Sequence, residues 1–245
     1  MAKMMIQMFL KSNLYLFNRI NGFIIYSCRL NLRFIKLWVF YKSYLISSPT
    51  IPVDIHGMFS DVYRLYAENL RNSTSYLKLH SNLKISKQPL FYNYIILRAS
   101  TLSKVVTLVD ENNSNVTPKI LQLFKKCCLY VGKGTYRRKF QHILNARSVN
   151  TRYTYNEICI RKLWESFDGI TLFQFPNEVD HFEAHSREFA LIKTIGLENL
   201  NNIINGTPFG NMKLWSDVEI NNFGLMMLYN AIKSCVNDPL TVIYN

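Results

Sequence analysis

The chain has 245 residues, 49% of them hydrophobic, and its 29 basic side chains exceed its 16 acidic ones by 13 charges. This length supports one folded domain with an appendage, and the charge favours a polyanionic partner, either nucleic acid or an anionic membrane face. Five cysteines without a C-x-x-C pair indicate neither a disulfide framework nor a zinc ribbon. They favour an intracellular setting, nucleus or cytoplasm, and leave the oligomeric state open.

Residues 1–55 are predicted to form a basic, apolar N-terminal extension. No acidic residue precedes Asp54, whereas seven Lys or Arg residues do. Its uncharged apolar runs are shorter than the roughly 18 residues of a membrane-spanning helix. A helical or disordered extension is therefore predicted. A membrane anchor, a targeting segment and a nucleic-acid arm remain open as its function, with membrane association disfavoured.

Residues 56–87 are predicted to be a helical lead-in, with an amphipathic helix at 60–70 behind a Ser60 cap. Residues 88–236 are predicted to form the main domain. Aromatic and β-branched content predicts strands at 90–97, 127–132 and 170–175. Helices are predicted at 118–126, 136–146, 155–167 and 178–195, and a final one after a capping box at Ser216. The polar segment 110–116 is predicted to be a loop. This order of elements predicts a small α+β domain.

The stretch Cys128–His142 places two glycines, four cations, tyrosine and histidine in one predicted strand, turn and helix. It begins with the motif Tyr130-Val131-Gly132-Lys133-Gly134, and Arg138 and His142 follow at a spacing that puts them on one helix face. Arginine binds phosphate through two parallel hydrogen bonds, and histidine transfers protons near neutral pH. The stretch therefore indicates phosphodiester chemistry.

Further motifs surround this stretch in a fixed order. Phe91–Leu97 precedes it, and Glu183–Ile192, Leu200–Asn202 and Phe209-Gly210 follow it. In this order the segments resemble the GIY-YIG nuclease family, and in particular the catalytic domain of the animal ankyrin-repeat and LEM-domain endonucleases, over about residues 88–235. The first motif departs from the family pattern, because Tyr92-Asn93-Tyr94 stands in place of Gly-Ile-Tyr.

The resemblance implies a three-stranded antiparallel sheet flanked by helices, with an additional C-terminal helix. It also implies a structure-selective or repair-type DNA endonuclease that acts on branched or damaged DNA with a divalent metal, Mg²⁺ or Mn²⁺, and without a small-molecule cofactor. The implied catalytic residues are Tyr94, Tyr130, Arg138, His142 and Glu188. The implied substrate-binding residues are Gly132, Lys133, Gly134, Arg137 and Asn202.

Two of these implied roles make specific chemical demands. Glu188 is the single implied metal ligand, and one carboxylate completed by water and substrate oxygens suits Mg²⁺. A tyrosine has a pKa of about 10, so a general-base role for Tyr130 requires nearby cations. Lys133, Arg137 and Arg138 are the candidates for lowering that pKa.

Two alternatives are weighed against the nuclease. The first is a catalytically inactive nucleic-acid-binding or membrane-associated protein that retains the scaffold. The joint presence of the implied catalytic residues favours activity. The second is a zinc protease, because His181 and His185 are spaced to clamp a metal. The string His-Phe-Glu-Ala-His is not HExxH, which disfavours this reading.

Overall fold

The computed structural model describes residues 53–80, 89–149 and 152–245. The chain divides into two units, Met1–Pro49 and Thr50–Asn245, and every described residue belongs to the second. The predicted N-terminal extension therefore lies almost wholly outside the described residues. The first described element is helix α1 (Val53–His80), which begins earlier and ends later than the helix predicted behind Ser60.

Three strands form one antiparallel sheet: β1 (Tyr92–Arg98), β2 (Cys128–Gly134) and β3 (Ile170–Gln174). The strand order is β2-β1-β3, so the nearly fully buried strand β1 lies in the middle. Tyr94 of β1 is opposite Gly132 of β2 on one side and Gln174 of β3 on the other. The predicted three-stranded antiparallel sheet is confirmed.

Helices flank this sheet, as expected for an α+β domain. The further α-helices in the described residues are α2 (Ala99–Glu111), α3 (Pro118–Cys127), α4 (Gln141–Arg147), α5 (Tyr155–Glu165), α6 (His181–Ile195) and the C-terminal α7 (Asp217–Asn237). Short 3₁₀ helices lie at Arg138–Phe140, Leu197–Asn199 and Gly210–Leu214.

Local signals account for most of the helix ends. The Thr117 side chain accepts the Ile120 N–H, and Pro118 occupies the first position of α3, where its missing N–H costs no hydrogen bond. Ser216 forms the predicted capping box of α7 with Glu219. Helix α6 ends at Gly196, whose φ of +94° favours glycine.

Helix α2 was not predicted from the sequence. Its residues are rich in Ser, Thr and Val, which are modest helix formers, and its N-cap makes no side-chain hydrogen bond. Leu102, Val105 and Val109 are buried, and the helix packs against α3 and α7. Tertiary burial therefore determines this element where local propensity does not.

The helix predicted from Tyr136 begins five residues late, at Gln141. Residues 135–137 form a turn, and the 3₁₀ helix Arg138–Phe140 follows it. Tyr136 has a φ of +49°, which is incompatible with a right-handed helix. This turn positions Arg138, so the structure deviates from the predicted helix at one of the residues implied to be catalytic.

The two faces of the sheet are covered by different helices. Tyr92, Tyr94 and Ile96 of β1 pack in a core cluster with residues of α4 and α5. Alternation along a strand directs Asn93 to the opposite face, where its side-chain Nδ2 donates to the Ala184 carbonyl of α6 at 2.8 Å. Helix α6 packs on β1, on β2 and against α7. A site at β2 can therefore receive side chains from both layers.

Both outer strands of the sheet have additional partners. The Asn201 N–H donates to the Leu129 carbonyl of β2 at 2.7 Å. At β3, Ile170 and Ile243 exchange two backbone hydrogen bonds, of 3.1 and 2.8 Å. Within the described residues, no helix combines the length and apolar character needed to cross a membrane.

Candidate active site

Two tyrosine rings lie over Gly132 at the β1–β2 pair. A Cβ built on Gly132 would lie 2.5 Å from Cζ of Tyr94 and 2.8 Å from Cε1 of Tyr130. The centroids of the two rings are 6.1 Å apart. Any side chain at Gly132 would displace one or both phenols. Gly132 therefore makes room for the tyrosines themselves, a reason for glycine that the sequence did not reveal.

Both phenols retain their protons at neutral pH. Burial raises the pKa of Tyr94, and the neighbouring Tyr130 adds to this effect. Burial also raises the pKa of Tyr130, as does the Glu188 carboxylate, whereas Arg138 and a hydrogen bond with Tyr94 oppose the increase. Of the three cations named as candidates for lowering the pKa of Tyr130, Arg138 acts in that direction, but burial outweighs it and the net pKa is raised.

Arg138 lies directly after the turn that follows β2. Its Cβ occupies the space where a Cβ of Gly134 would be, so Gly134 allows the arginine to fold back over the strand. The guanidinium lowers the pKa values of Tyr94 and Tyr130, where it opposes burial, and of His142, where it adds to burial. Its charge therefore lies near all three groups. Arg137 is exposed at the same turn.

The Arg138 turn is held by Tyr92, which sequence analysis did not select. The Tyr92 hydroxyl donates to the Tyr136 carbonyl at 2.8 Å and accepts the Lys139 N–H at 3.1 Å. Tyr92 is buried in the core. A core side chain therefore fixes the backbone on either side of Arg138. Its place two residues before Tyr94, on the same face of β1, is the sequence signal that could have suggested this contact.

His142 lies against Tyr130, with ring centroids 4.7 Å apart in an edge-on arrangement. Its Nδ1 is 3.5 Å from Oε1 of Glu157. Both ring nitrogens are buried and neither makes a hydrogen bond with a described residue. Burial lowers the pKa of His142, and the Glu157 carboxylate only partly opposes this. The imidazole is therefore neutral at neutral pH.

Glu157 is the second residue near the site that sequence analysis missed. Its Oε2 accepts the Thr154 N–H at 2.7 Å in a capping box at the start of α5, and its Oε1 accepts Nδ2 of Asn145 at 2.8 Å. Burial opposes its ionisation, but these hydrogen bonds lower its pKa overall. The spacing Thr154-x-x-Glu157 is a visible capping signature. It predicts the helix start but not the contact with His142.

Glu188 reaches the site from α6, on the other side of the sheet. It is 9% exposed, and its Oε2 accepts a hydrogen bond from Nζ of Lys133 at 3.0 Å. Burial raises the pKa of Glu188, while the ammonium group and backbone N–H of Lys133 oppose the increase. The charge of Glu188 nevertheless acts on both Tyr94 and Tyr130.

The loop after α6 attaches to the free edge of β2. Oδ1 of Asn202 accepts the Val131 N–H at 2.9 Å, and Nδ2 of Asn202 donates to the Val131 carbonyl at 2.8 Å. Gly206, at a φ of +79°, brings the same loop beside Glu188, because a Cβ built there would lie 3.7 Å from Glu188 Oε2. The amide of Asn202 is thus used by the strand in this structure, whereas the sequence suggested a contact with substrate.

The two histidines weighed as a metal clamp form a pair at the start of α6. The Nε2 atoms of His181 and His185 are 3.0 Å apart. Burial, Lys133 and His181 lower the pKa of His185 to about 4. The described residues contain no group of three or more His, Cys, Asp or Glu side chains arranged to hold a metal ion. The pair therefore lacks a third protein ligand of these types.

Glu188 is the residue that would hold the divalent metal implied by the sequence resemblance. It is a nearly buried carboxylate whose charge acts on Tyr130, and its Oε2 accepts the hydrogen bond from the Lys133 ammonium. A hard cation such as Mg²⁺ is often held by one or two carboxylates, with water and substrate phosphate completing its shell. The single carboxylate fits that type of site and does not fit an all-protein cage.

The structure thus relates five residues from three segments to the Tyr130 phenol: Tyr94, Arg138 and Glu188 act on its pKa, His142 is in ring contact with it, and Lys133 is paired with Glu188. Paired phenols, a guanidinium and one carboxylate at the edge of a small sheet define a nuclease-type domain. The family model described as the LEM-3-like GIY-YIG domain matches residues 91–245, and the chain belongs to this family.

Curated relatives also match this chain over about half of its length. The "Ankyrin repeat and LEM domain-containing protein 1 homolog" of Caenorhabditis elegans is 29% identical over 127 residues, which are 49% of this chain and 18% of that protein. The human "Ankyrin repeat and LEM domain-containing protein 1" is 27% identical over 119 residues, 46% of this chain and 19% of that protein. The matches therefore span less than a quarter of these relatives. No solved structure is significantly similar to the chain.

Proposed function

We propose that residues 88–236 hydrolyse phosphodiester bonds of DNA as a divalent-metal-assisted endonuclease that selects branched or damaged structures. The observation that supports this best is that Tyr94 and Tyr130 lie over Gly132 with His142 in ring contact, while Arg138 and Glu188 are near enough to act on the pKa of Tyr130. The net charge of +13 favours a polyanionic substrate. Nucleases of this family typically use divalent metals, and we propose Mg²⁺ or Mn²⁺ here.

In the proposed reaction the scissile phosphate lies beside Arg138. Its guanidinium is exposed, can donate two parallel hydrogen bonds to phosphate oxygens, and neutralises the charge that develops on them. Arg137, exposed at the same turn, would bind a neighbouring phosphate. Glu188 would hold the cation, which when bound polarises a phosphoryl oxygen and stabilises its negative charge. Lys133 would then share the charge of Glu188 with that cation.

The uncharged groups on the other side of β2 are suited to moving the proton of the attacking water. The Tyr130 hydroxyl, protonated and hydrogen-bonded with Tyr94, can orient this water and accept its proton while it passes its own to a neighbour. His142 is neutral and in ring contact with Tyr130, and in the proposed reaction it receives that proton through a hydrogen bond or a bridging water formed in the substrate complex. Glu157 faces Nδ1 and would stabilise the imidazolium that results.

The substrate and the cellular setting are also proposals. All four cysteines among the described residues are free, and Cys127, Cys128 and Cys235 are buried, which is consistent with a reducing intracellular compartment, nucleus or cytoplasm. Membrane association of the N-terminal extension concerns residues that lie outside the described part of the chain.

A non-catalytic nucleic-acid-binding protein is the second candidate function. The ion pair between Lys133 and Glu188 favours it, because that pair satisfies the only carboxylate proposed for the metal. The two candidates agree on DNA binding and differ on turnover.

The deciding experiment incubates the purified full-length protein with flap, fork, four-way junction and linear DNA, with Mg²⁺ or with EDTA. Cleavage that requires Mg²⁺ and is lost in Glu188→Gln supports the endonuclease. The matched control is Glu165→Gln, an exposed carboxylate at the end of α5. Tight binding without cleavage of any of these DNAs, in Mg²⁺ or Mn²⁺, supports the second candidate.

A further inference from the structure

The ring of Tyr136 is held at the surface beside the candidate active site. The turn Thr135–Arg138 is closed by the Arg138 N–H, which donates to the Thr135 carbonyl at 3.1 Å. Within this turn Tyr136 has a φ of +49°. Left-handed backbone is costly for bulky residues, and glycine, asparagine or aspartate would adopt it more easily. The side chain is also 84% exposed, so its ring gains little from packing.

Other left-handed residues in the described part of the chain have ordinary explanations. Asn113 and Ser114 lie in a polar loop after α2. Phe167, at a φ of +58° and 94% exposed, ends helix α5, since its N–H donates to the Trp164 carbonyl and the next N–H, of Asp168, donates to the Leu163 carbonyl. Tyr136 follows a strand and ends no helix.

The strained conformation of Tyr136 is actively maintained. The buried Tyr92 hydroxyl donates to the Tyr136 carbonyl at 2.8 Å and accepts the Lys139 N–H at 3.1 Å, so a core residue clamps the backbone on both sides of the turn. Strain that the surrounding structure over-determines is typical of functional sites. The clamp fixes the place from which an exposed phenol ring extends into solvent.

The surroundings of Tyr136 match the chemistry of nucleic acid. Arg137 follows it directly and is exposed, and Arg138, proposed to bind the scissile phosphate, comes next. An exposed aromatic ring flanked by cations is the arrangement with which proteins bind unpaired nucleotides, since the cations take the backbone and the ring takes a base. Phe167, with acidic Asp168 beside it and Glu165 two residues before, lacks this environment.

We propose that Tyr136 is a stacking site for one unpaired nucleobase next to the phosphates held by Arg137 and Arg138. Bases within a continuous duplex are stacked on their neighbours and offer no free face, whereas a base at a flap, gap or branch point does. Tyr136 would thereby contribute to selection of DNA with unpaired bases. This role in selecting a cleavage position rests on the proposed endonuclease function, but the stacking contact itself does not.

The test measures binding of the full-length protein to fluorescent DNA by anisotropy, with no divalent metal present. Three DNAs are compared: a duplex with a one-nucleotide flap, the same flap with an abasic nucleotide, and the continuous duplex. Stacking on one base is lost when the ring is removed, so Tyr136→Ala should weaken binding to the flap by roughly 5- to 150-fold. Its binding to the abasic flap and to the duplex should stay within about twofold of wild type.

Three further variants separate the ring from the backbone. Tyr136→Phe keeps the ring and should bind the flap as wild type does. Tyr136→Gly relieves the left-handed strain but lacks the ring, and should lose as much affinity as Tyr136→Ala. Phe167→Ala, which removes an equally exposed aromatic side chain from a left-handed position, is the matched control and should bind normally.

Two results would overturn the inference: an unchanged affinity of Tyr136→Ala for the flap, or an equal loss on all three DNAs, which indicates a distorted turn. Absence of binding by the wild-type protein would overturn it as well. Cleavage with Mg²⁺ is assayed separately. A protein that stacks the base but never cleaves refutes the endonuclease and leaves the stacking site intact. If the protein cleaves DNA but Tyr136→Ala shows no flap-selective loss of affinity, the stacking site is refuted and the endonuclease is not.

Discussion

The two faces of strand β2 bring different chemistry to the same place. On the α4 and α5 side, Tyr130, Tyr94 and His142 are all uncharged at neutral pH. On the α6 side, Glu188 and Lys133 form an ion pair of 3.0 Å. Burial raises pKa values on both faces, and a cation opposes it on each: Arg138 at the two tyrosines and Lys133 at Glu188. In the proposed mechanism, one face transfers protons and the other holds charge.

This division explains why raised pKa values of the two tyrosines are compatible with catalysis. A phenol that stays protonated can pass on one proton as it receives another, and it needs a neutral acceptor such as His142 beside it. The charged face needs an ionised carboxylate, which Lys133 favours, although burial still raises the pKa of Glu188 overall. Variants on each face should consequently fail in distinguishable ways.

The largest effect is expected from Glu188→Gln, which removes the charge and keeps the shape. Cleavage in Mg²⁺ should fall by about 100-fold or more, because a preorganised charge near the phosphate is lost. DNA affinity should change by no more than a few-fold. Single-turnover cleavage and anisotropy measure the two quantities. Undiminished cleavage would show that the charge of Glu188 is not needed for the reaction. The control Glu165→Gln should behave as wild type in both assays.

Tyr130→Phe should come next, with a loss of roughly 10² in single-turnover rate, the lower end of what a positioned proton-transfer group contributes. The ring stays, so its contacts with His142 and Gly132 persist, while the hydroxyl proposed to relay the proton disappears. Tyr244→Phe, at a tyrosine that is 56% exposed, provides the control. A near-normal rate would assign the Tyr130 ring to packing alone.

The pH dependence of cleavage should distinguish the faces further. Burial lowers the pKa of His142 and raises that of Tyr130. Protonation of His142 removes the proton acceptor, so the rate should fall as the pH drops through that lowered pKa, below about 6.5. The rate should not change with the titration of Tyr130 until the pH is well above neutral. A pH profile of kcat/KM from pH 5 to 9 measures this.

Glu157→Gln should shift the acid limb of that profile to still lower pH, with at most about a tenfold change in the plateau rate. The carboxylate raises the pKa of His142, so its removal lets burial lower that pKa further. Glutamine retains the capping box at α5, which separates this effect from unfolding. Titration of His142 by NMR provides the independent readout. An unshifted pKa would show that Glu157 only caps the helix.

The smallest effect on chemistry, and the largest on stability among these variants, is expected for Asn202→Ala. The change leaves the Val131 N–H and carbonyl without their side-chain partners and should lower the free energy of unfolding by about 1–3 kcal/mol. Urea denaturation measures this, with exposed Asn205→Ala as control. If Asn202→Ala is instead as stable as wild type but binds DNA weakly, Asn202 contacts the substrate, as the sequence resemblance implied.

The sequence predicts one face of this site better than the other. Tyr130, Gly132, Arg138 and His142 fall within thirteen consecutive residues, so a strand, a turn and a helix suffice to bring them together. Glu188 is 55 positions from Lys133 and was selected only through the family resemblance. Its approach depends on how α6 packs across the sheet, which local patterns do not encode.

The residues that the sequence did not reveal act through atoms whose direction depends on packing. Glu157 is visible as a capping residue, but the orientation of its second oxygen towards His142 follows from how α4 and α5 meet. Tyr92 looks like any strand aromatic until its hydroxyl is seen to bind the turn. Likewise, α2 has weak local signals and forms because three of its side chains are buried.

The Asn201–Asn202 contacts with β2 and the pairing of Ile243 with Ile170 also affect how copies of the domain behave towards one another. The unpaired edge of an outer strand is a template on which strands of other chains can pair, which leads to aggregation. Here the loop after α6 covers part of the edge of β2, and the segment after α7 covers part of the edge of β3. Handling conditions or fusions that pull either segment away would be expected to reduce solubility before they reduce helix content.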